Sequence, residues 1–145
     1  MSMLEGSRAT WTSRMLSVYR IVAGLILLTA GTTIVLGHPA VPAGGMLPPF
    51  SPMTQLGIGG LIEIVGGLAI ALGLFTRPVA FVLAGQMAVT YFQFHFPLSF
   101  FPTTNNGMPA VMFCFFFLYL VFAGAGEWSV DSMLARRRRH SSPEG

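Results

Sequence analysis

The side chains that could do chemistry in this chain are few, and most lie inside long apolar segments. Glu63 stands in the middle of one such segment, Arg20 near the start of another, and Gln86 within a third. A carboxylate at this depth in hydrocarbon is costly unless it is paired, protonated or facing a cavity. We therefore predict that Glu63 is buried against polar groups of neighbouring helices, with Arg20 and Gln86 as its first candidate partners. A ligand-binding role for this cluster is the alternative.

Arg20 and the outer end of the third segment leave two further interpretations open. Because Arg20 lies only a few residues into its segment, its guanidinium could instead extend to the lipid headgroups as a simple anchor. His95 stands near the outer end of the third segment, and Asn105 follows in the next loop. These two residues form a candidate second polar site on the outer side.

No group of residues has the spacing of a catalytic centre or of a metal site. Cys114 is the only cysteine, which excludes an internal disulfide, a CxxC motif and a thiolate metal cage. Its aromatic surroundings indicate a small buried hydrophobe rather than a reactive thiol. We expect no catalytic residues and no metal, and the one cofactor left open is a quinone.

The composition then identifies the solvent in which this chain folds. Of its 145 residues, 53% are hydrophobic and 9% are charged, whereas an average soluble domain carries about 25% charge. A soluble chain of this length could not bury so much apolar surface in one core. All eight basic residues are arginines, and four of them form the run 136–139. Such a tail differs from the basic face of a nucleic-acid-binding protein, so no nucleic acid is expected as a partner.

Four apolar runs separated by Pro-, Gly- and Asn-rich breaks predict an all-α fold, a transmembrane four-helix antiparallel bundle. Each run is close to the roughly 20 residues that cross the hydrocarbon core of a bilayer. The predicted spans are about 14–37, 52–75, 78–96 and 108–123. They lie in a domain of residues 14–134, between a short N-terminal segment, 1–13, and a basic tail, 135–145.

The arginines orient the predicted bundle. They lie before span one, between spans two and three, and after span four, while the loops 37–51 and 97–107 contain no Lys or Arg. Cytoplasmic loops carry the basic residues of membrane proteins, so both termini are predicted to be cytoplasmic. The alternative that span one is a cleaved signal peptide is disfavoured by its length and by Arg20.

Glycines in span two predict where that helix contacts its neighbours. Gly59, Gly66 and Gly73 recur at spacings of seven, and Glu63 lies on the same face. Small residues allow close helix approach in lipid. This face is therefore expected to point into the bundle.

Several stretches of the sequence resemble the DoxX family, and together they cover roughly residues 14–134. The quoted stretches are Glu63–Gly67, Leu72–Ala80, Met87–Phe92 and Gly124–Asp131. The resemblance implies a small four-helix protein of the prokaryotic cytoplasmic membrane. Founding members are similar to a subunit of a thiosulfate:quinone oxidoreductase, and other relatives associate with soluble redox enzymes in oxidative-stress complexes.

The chain also departs from the family pattern. Several positions that carry ionisable residues in many members carry neutral residues in this chain. The neutral positions are Ala30, Ile34, Gln86 and Met108, and the matching polar residues are Arg20, Glu63, Arg77, His95 and Asn105. Proton-coupled quinone chemistry needs titratable groups along a path. The losses therefore argue against a proton relay across the whole protein and against an independent enzymatic activity.

Three functions follow from these observations, in descending order of support. The first is a non-catalytic membrane subunit or anchor of a redox complex, of the oxidative-stress or sulfur/quinone kind, with a soluble oxidoreductase as its partner. The second is a quinone- or lipid-binding oxidoreductase subunit, with Glu63, Gln86 and the region 113–117 lining a pocket. The third is a small-solute transporter, which would require a homo-oligomer, because one protomer encloses little space. Membrane lipids are partners in each case.

Overall fold

The computed structural model describes residues 3–41 and 47–140, and the regular secondary structure of these residues is helical, with no strand. The predicted all-α class is confirmed. The elements are α1 (Met3–Leu36), α2 (Gln55–Leu72), α3 (Thr76–Thr90), a π-helical turn (Tyr91–His95), α4 (Met108–Ala123) and α5 (Val130–His140).

The helix bounds agree with the apolar runs in part. α4 has the bounds expected for the fourth run, whereas α1 begins at Met3, well before the start expected from hydropathy. α2 is shorter than its run at both ends because it is capped. The Thr54 hydroxyl accepts a hydrogen bond from the Gly57 amide at 3.1 Å, and Gly73 ends the helix in the left-handed region at φ 70°. α5 lies in a segment for which no helix was predicted.

Two helices are long and apolar enough to cross a membrane, over Gly6–Leu36 and Gln55–Leu72. α3 has 15 residues before the π-helical turn continues it, and α4 has 16 apolar residues. Both are shorter than the roughly 20 residues of a typical untilted span. The structure thus supplies two spans by length and composition, and the assignment of four spans stays a prediction.

α1 and α2 contact each other through glycines on both helices. A Cβ on Gly24 would lie 2.7 Å from the Gly67 carbonyl oxygen, and one on Gly67 would lie 2.6 Å from the Leu28 amide nitrogen. Farther along the same interface, a Cβ on Gly31 would lie 2.6 Å from the Gly60 carbonyl oxygen. The two backbones are therefore in direct contact, which only glycine permits.

The glycines that the sequence singled out in α2 face other neighbours. A Cβ on Gly66 would meet the Leu83 side chain of α3 at 2.7 Å, and one on Gly59 would lie 3.3 Å from the Gln86 amide nitrogen. α2 consequently has two glycine faces. Gly60 and Gly67 contact α1, while Gly59 and Gly66 contact α3.

A layer of fully buried apolar side chains joins all four long helices. It consists of Leu27, Ile70, Leu83, Phe117 and Leu120, and is called the apolar layer below. α3 packs along α4 as α1 packs along α2.

The outward faces of the helices are also apolar. Phe81, Phe115 and Phe122 are all well exposed, the last by 76% of its surface. Contiguous exposed apolar surface on this scale is rare in soluble monomers and is the normal exterior of a protein surrounded by lipid.

The glycine contact predicts a difference between two matched alanine substitutions. Gly67→Ala places a methyl group against the α1 backbone, so we expect a loss of about 1–3 kcal/mol in the free energy of unfolding. Gly85→Ala, on α3, meets nothing within 4 Å and should leave stability equal or slightly higher. Thermal unfolding of both variants in detergent measures the difference, and equal melting temperatures would contradict the close contact.

Candidate functional site

Arg20 is completely buried, with 0% of its surface exposed, and its guanidinium donates hydrogen bonds to four backbone carbonyls. Nε donates to the Ala125 oxygen at 2.8 Å and Nη2 to the Trp128 oxygen at 2.6 Å. Nη1 donates to the Ala71 oxygen at 2.7 Å and to the Ile70 oxygen. Arg20 and these four carbonyls are called the Arg20 network below.

The network suits the chemistry of each partner. The last carbonyls of a helix have no intrahelical donor and lie at the negative end of its dipole, so the end of α2 favours a cation. The guanidinium fork carries five donors in a fixed plane, which allows one side chain to reach several carbonyls. Gly73 makes room for the fork, since a Cβ there would lie 2.9 Å from Arg20 Cζ.

The prediction that Arg20 pairs with Glu63 is wrong in this structure, and so is the anchor alternative. No ion pair joins the two side chains within the described residues, and the guanidinium is buried rather than extended to a surface. Backbone carbonyls replace the carboxylate as its partners. Backbone carbonyls leave no signal in the sequence, because every residue has a carbonyl group.

Two further side chains complete this end of the molecule, and sequence reasoning missed both. The Asp131 carboxylate accepts hydrogen bonds from the Phe75 and Thr76 amides, each at 2.9 Å, and so caps the start of α3 from a distant part of the chain. The buried Ser17 hydroxyl accepts from the Trp128 amide at 3.0 Å. The only signal for Asp131 is its position at the end of the Gly124–Asp131 stretch.

Arginines gather at this same end. Arg14 forms an ion pair with Glu127 at 3.2 Å, and Arg136 approaches the other oxygen of that carboxylate at 3.9 Å. These partly exposed pairs contribute little to stability. The residues around Arg14, Arg20 and Arg136 are called the arginine-rich end.

Glu63 and Gln86 are in contact in the middle of α2 and α3. Gln86 Nε2 donates to Glu63 Oε1 at 3.1 Å and lies 3.3 Å from the Gly59 carbonyl oxygen. Glu63 is only 7% exposed. The structure therefore brings together two members of the predicted cluster and separates Arg20 from them. A ligand-binding role for these residues stays a prediction.

A cleft of about 560 Å³ opens beside this pair, between the first half of α2 and the last half of α3. Its polar lining includes Gln86, Thr90 and Gln93, the stripe at i, i+4 and i+7 of the third segment. Apolar side chains, among them Ile62 and Val82, line the rest.

His95 and Asn105 also meet, as structural partners at the end opposite the arginines. His95 Nδ1 lies 2.9 Å from the Asn105 carbonyl oxygen. The buried Asn105 side chain donates to the Ser99 oxygen at 2.8 Å and accepts from the Gly107 amide at 2.7 Å. These bonds close the loop between the π-helical turn and α4. In the described residues no group of three or more His, Cys, Asp or Glu could hold a metal ion.

A family model described as DoxX matches residues 15–96, which is more than half of the chain. The chain belongs to the DoxX family. The matched range contains Arg20, Glu63, Gln86 and His95. It ends before Asn105 and before the α4–α5 connection that completes the Arg20 network.

Two relatives align over most of the chain. A protein of Haemophilus influenzae, described only as uncharacterized, is 38% identical over 125 residues, covering 84% of this chain and 92% of the relative. The inner membrane protein YqjF of Escherichia coli is 29% identical over 133 residues, covering 83% and 92%. No solved structure matches the chain. This DoxX protein is thus a membrane protein, and its relative YqjF is an inner membrane protein.

The Arg20 network predicts an effect much larger than that of a surface ion pair. Arg20→Lys leaves a single ammonium that cannot reach carbonyls on both sides of the fork, so we expect a loss of about 3 kcal/mol or more in the free energy of unfolding. Arg14→Ala, which removes only the partly exposed pair with Glu127, should cost less than about 1 kcal/mol. Chemical unfolding in detergent tests this, and equal losses would contradict the network.

Proposed function

We propose that this DoxX protein is a four-helix bundle of the inner membrane with both termini in the cytoplasm, and a non-catalytic subunit that holds a soluble redox enzyme at the membrane. α1, α2, α3 with its π-helical turn, and α4 cross the bilayer in this account, and α5 lies on the cytoplasmic side.

The charge distribution supports this orientation. The arginine-rich end contains the start of α1, the α2–α3 turn and the α4–α5 connection, whereas the loops at the opposite end contain no Lys or Arg. A membrane protein retains its basic loops in the cytoplasm. Tilt, and the continuation of α3 through His95, make the two shorter helices compatible with a bilayer.

The observation that carries the proposed role is that α5 is fixed to the rest of the protein. The Arg20 network holds the connection before α5, the Asp131 carboxylate caps α3, and the Asp131 amide donates to the Gly73 oxygen at 3.0 Å. A basic tail that only stopped translocation would need no such attachment. A rigid attachment is what a docking surface requires, because it lowers the entropic cost of binding.

α5 then supplies the chemistry of docking. Arg136–Arg139 are exposed on its last turns. Guanidinium groups bind carboxylates in a planar, bidentate way. The partner that fits this surface is a soluble protein with an acidic face. That this partner is a redox enzyme is supported by the family resemblance.

The test is co-purification from native membranes in mild detergent, with mass spectrometry of everything that accompanies the tagged protein. We expect a stoichiometric soluble oxidoreductase with the natural chain. Substituting Arg136–Arg139 by Gln should abolish the association. Substituting the same four residues by Lys keeps the charge but removes the planar fork, so the association should weaken without being abolished.

Two results would contradict the docking role. One is a soluble partner that stays bound to the glutamine variant, and the other is the absence of any soluble protein from the natural sample.

The cleft beside Gln86 favours the second candidate, a quinone- or lipid-binding subunit, because it combines an apolar wall with a few polar groups. Bound quinone in the same sample would support that candidate.

A further inference from the structure

The Glu63–Gln86 pair lacks one hydrogen-bond donor. Glu63 Oε2 and Gln86 Oε1 are both buried, and neither has a hydrogen-bond partner in the described part of the chain. The two N–H groups of the Gln86 amide are directed to Glu63 Oε1 and to the Gly59 oxygen. What remains on both residues is therefore an acceptor, and an ionised carboxylate offers acceptors only.

Among the residues that the structure describes, no neighbouring charge compensates the carboxylate. On the α1 side Glu63 faces Gly31, whose Cβ would lie 2.9 Å from Glu63 Cβ, and on the α3 side it faces Gln86. On α1, the basic residue nearest in sequence to Gly31 is Arg20, whose guanidinium is bound to carbonyls. α3 carries one basic residue, Arg77, at its exposed start.

The tyrosines, the cysteine and the histidine of the neighbouring elements have other surroundings. Cys114 of α4 packs against the apolar layer, Tyr19 and Tyr119 are exposed, Tyr91 donates to the Phe100 oxygen, and His95 is bound to Asn105. Within the described residues Glu63 has no ion-pair partner. If Glu63 were ionised, its buried carboxylate would carry an uncompensated charge, which is the most costly state for a side chain in a membrane protein.

We propose that the Glu63–Gln86 pair is a proton-binding site. A hydronium ion from the surrounding water supplies the proton: one of its O–H bonds breaks, leaving water, and a new O–H bond forms on the carboxyl group, which gives the neutral acid. That single hydrogen removes the buried charge and supplies the missing donor. The inference concerns the resting state of this site and is independent of the docking role proposed for α5.

The surroundings of the pair assign the side from which the proton enters. Toward the end opposite the arginines, the cleft lined by Gln86, Thr90 and Gln93 leads from the pair. Toward the arginine-rich end, the apolar layer separates the pair from Arg20. Hydroxyl and amide side chains can hydrogen-bond the water through which a proton moves, whereas a close-packed apolar layer excludes that water. The proton therefore exchanges through the cleft.

Infrared spectroscopy of the protein in lipid bilayers tests the protonation state directly. The carbonyl stretch of a protonated carboxylic acid is absent from ionised carboxylates. The other acidic residues are Glu5 and Glu144 near the termini, Glu127, which is paired with Arg14, and Asp131, which accepts two amide hydrogens. We expect one acid band at neutral pH, lost in Glu63→Gln and shifted in Glu63→Asp. No acid band in the natural protein at neutral pH would overturn the proposal.

Two further variants test the partner and the route. Gln86→Leu removes the amide and should shift the acid band, while Thr29→Val, which alters an exposed hydroxyl bonded within α1, should not. On transfer to D₂O, Thr90→Leu should slow the isotope shift of the band severalfold relative to Thr29→Val. Equal exchange rates would overturn entry through the cleft, and an unshifted band in Gln86→Leu would overturn the pairing with Gln86.

Discussion

The rest of the structure depends on the Arg20 network, because it joins three parts of the chain that are distant in sequence. One guanidinium binds the last turn of α2 and both ends of the Gly124–Trp128 connection. A buried cation is tolerated only where its donors are satisfied, and carbonyls at a helix end satisfy them while gaining a donor themselves. The position of α5, the cap on α3 and the course of the chain after α4 all follow from this contact.

The two buried polar centres of this DoxX protein differ in how completely their hydrogen bonds are formed. All three nitrogens of the Arg20 guanidinium donate to carbonyls, so this centre is suited to a structural role. The Glu63–Gln86 pair keeps two buried acceptors for which the described part of the chain supplies no donor, so this centre is suited to binding something small. The apolar layer lies between them and keeps the two environments separate.

The sequence predicted the helices better than the contacts, and the physical reasons are specific. Hydropathy located four apolar helices because lipid imposes apolar surfaces on them, and the spacing of Glu63 from the glycines of α2 indicated an inward face. It could not reveal that Arg20 binds carbonyls, since backbone groups leave no trace in composition. The contacts of Gly60 and Gly67 with α1 were also missed, because α2 has two glycine faces and only one regular spacing was recognised. α5 was missed because its polar, arginine-rich sequence resembles a solvated tail, and its stability comes from Asp131 and Gly73, contacts distant in sequence.

The most direct test of the central claim, that Arg20 of α1 fixes the α4–α5 connection to the end of α2, is hydrogen exchange of the Gly124–Leu134 segment measured by mass spectrometry in lipid nanodiscs. The Trp128 and Asp131 amides are hydrogen-bonded to Ser17 and Gly73, so this account predicts slow exchange in the natural protein. In Arg20→Lys the segment should exchange much faster, while the middle of α4 stays protected. Exchange of the natural segment at the rate of an unstructured peptide would contradict the account.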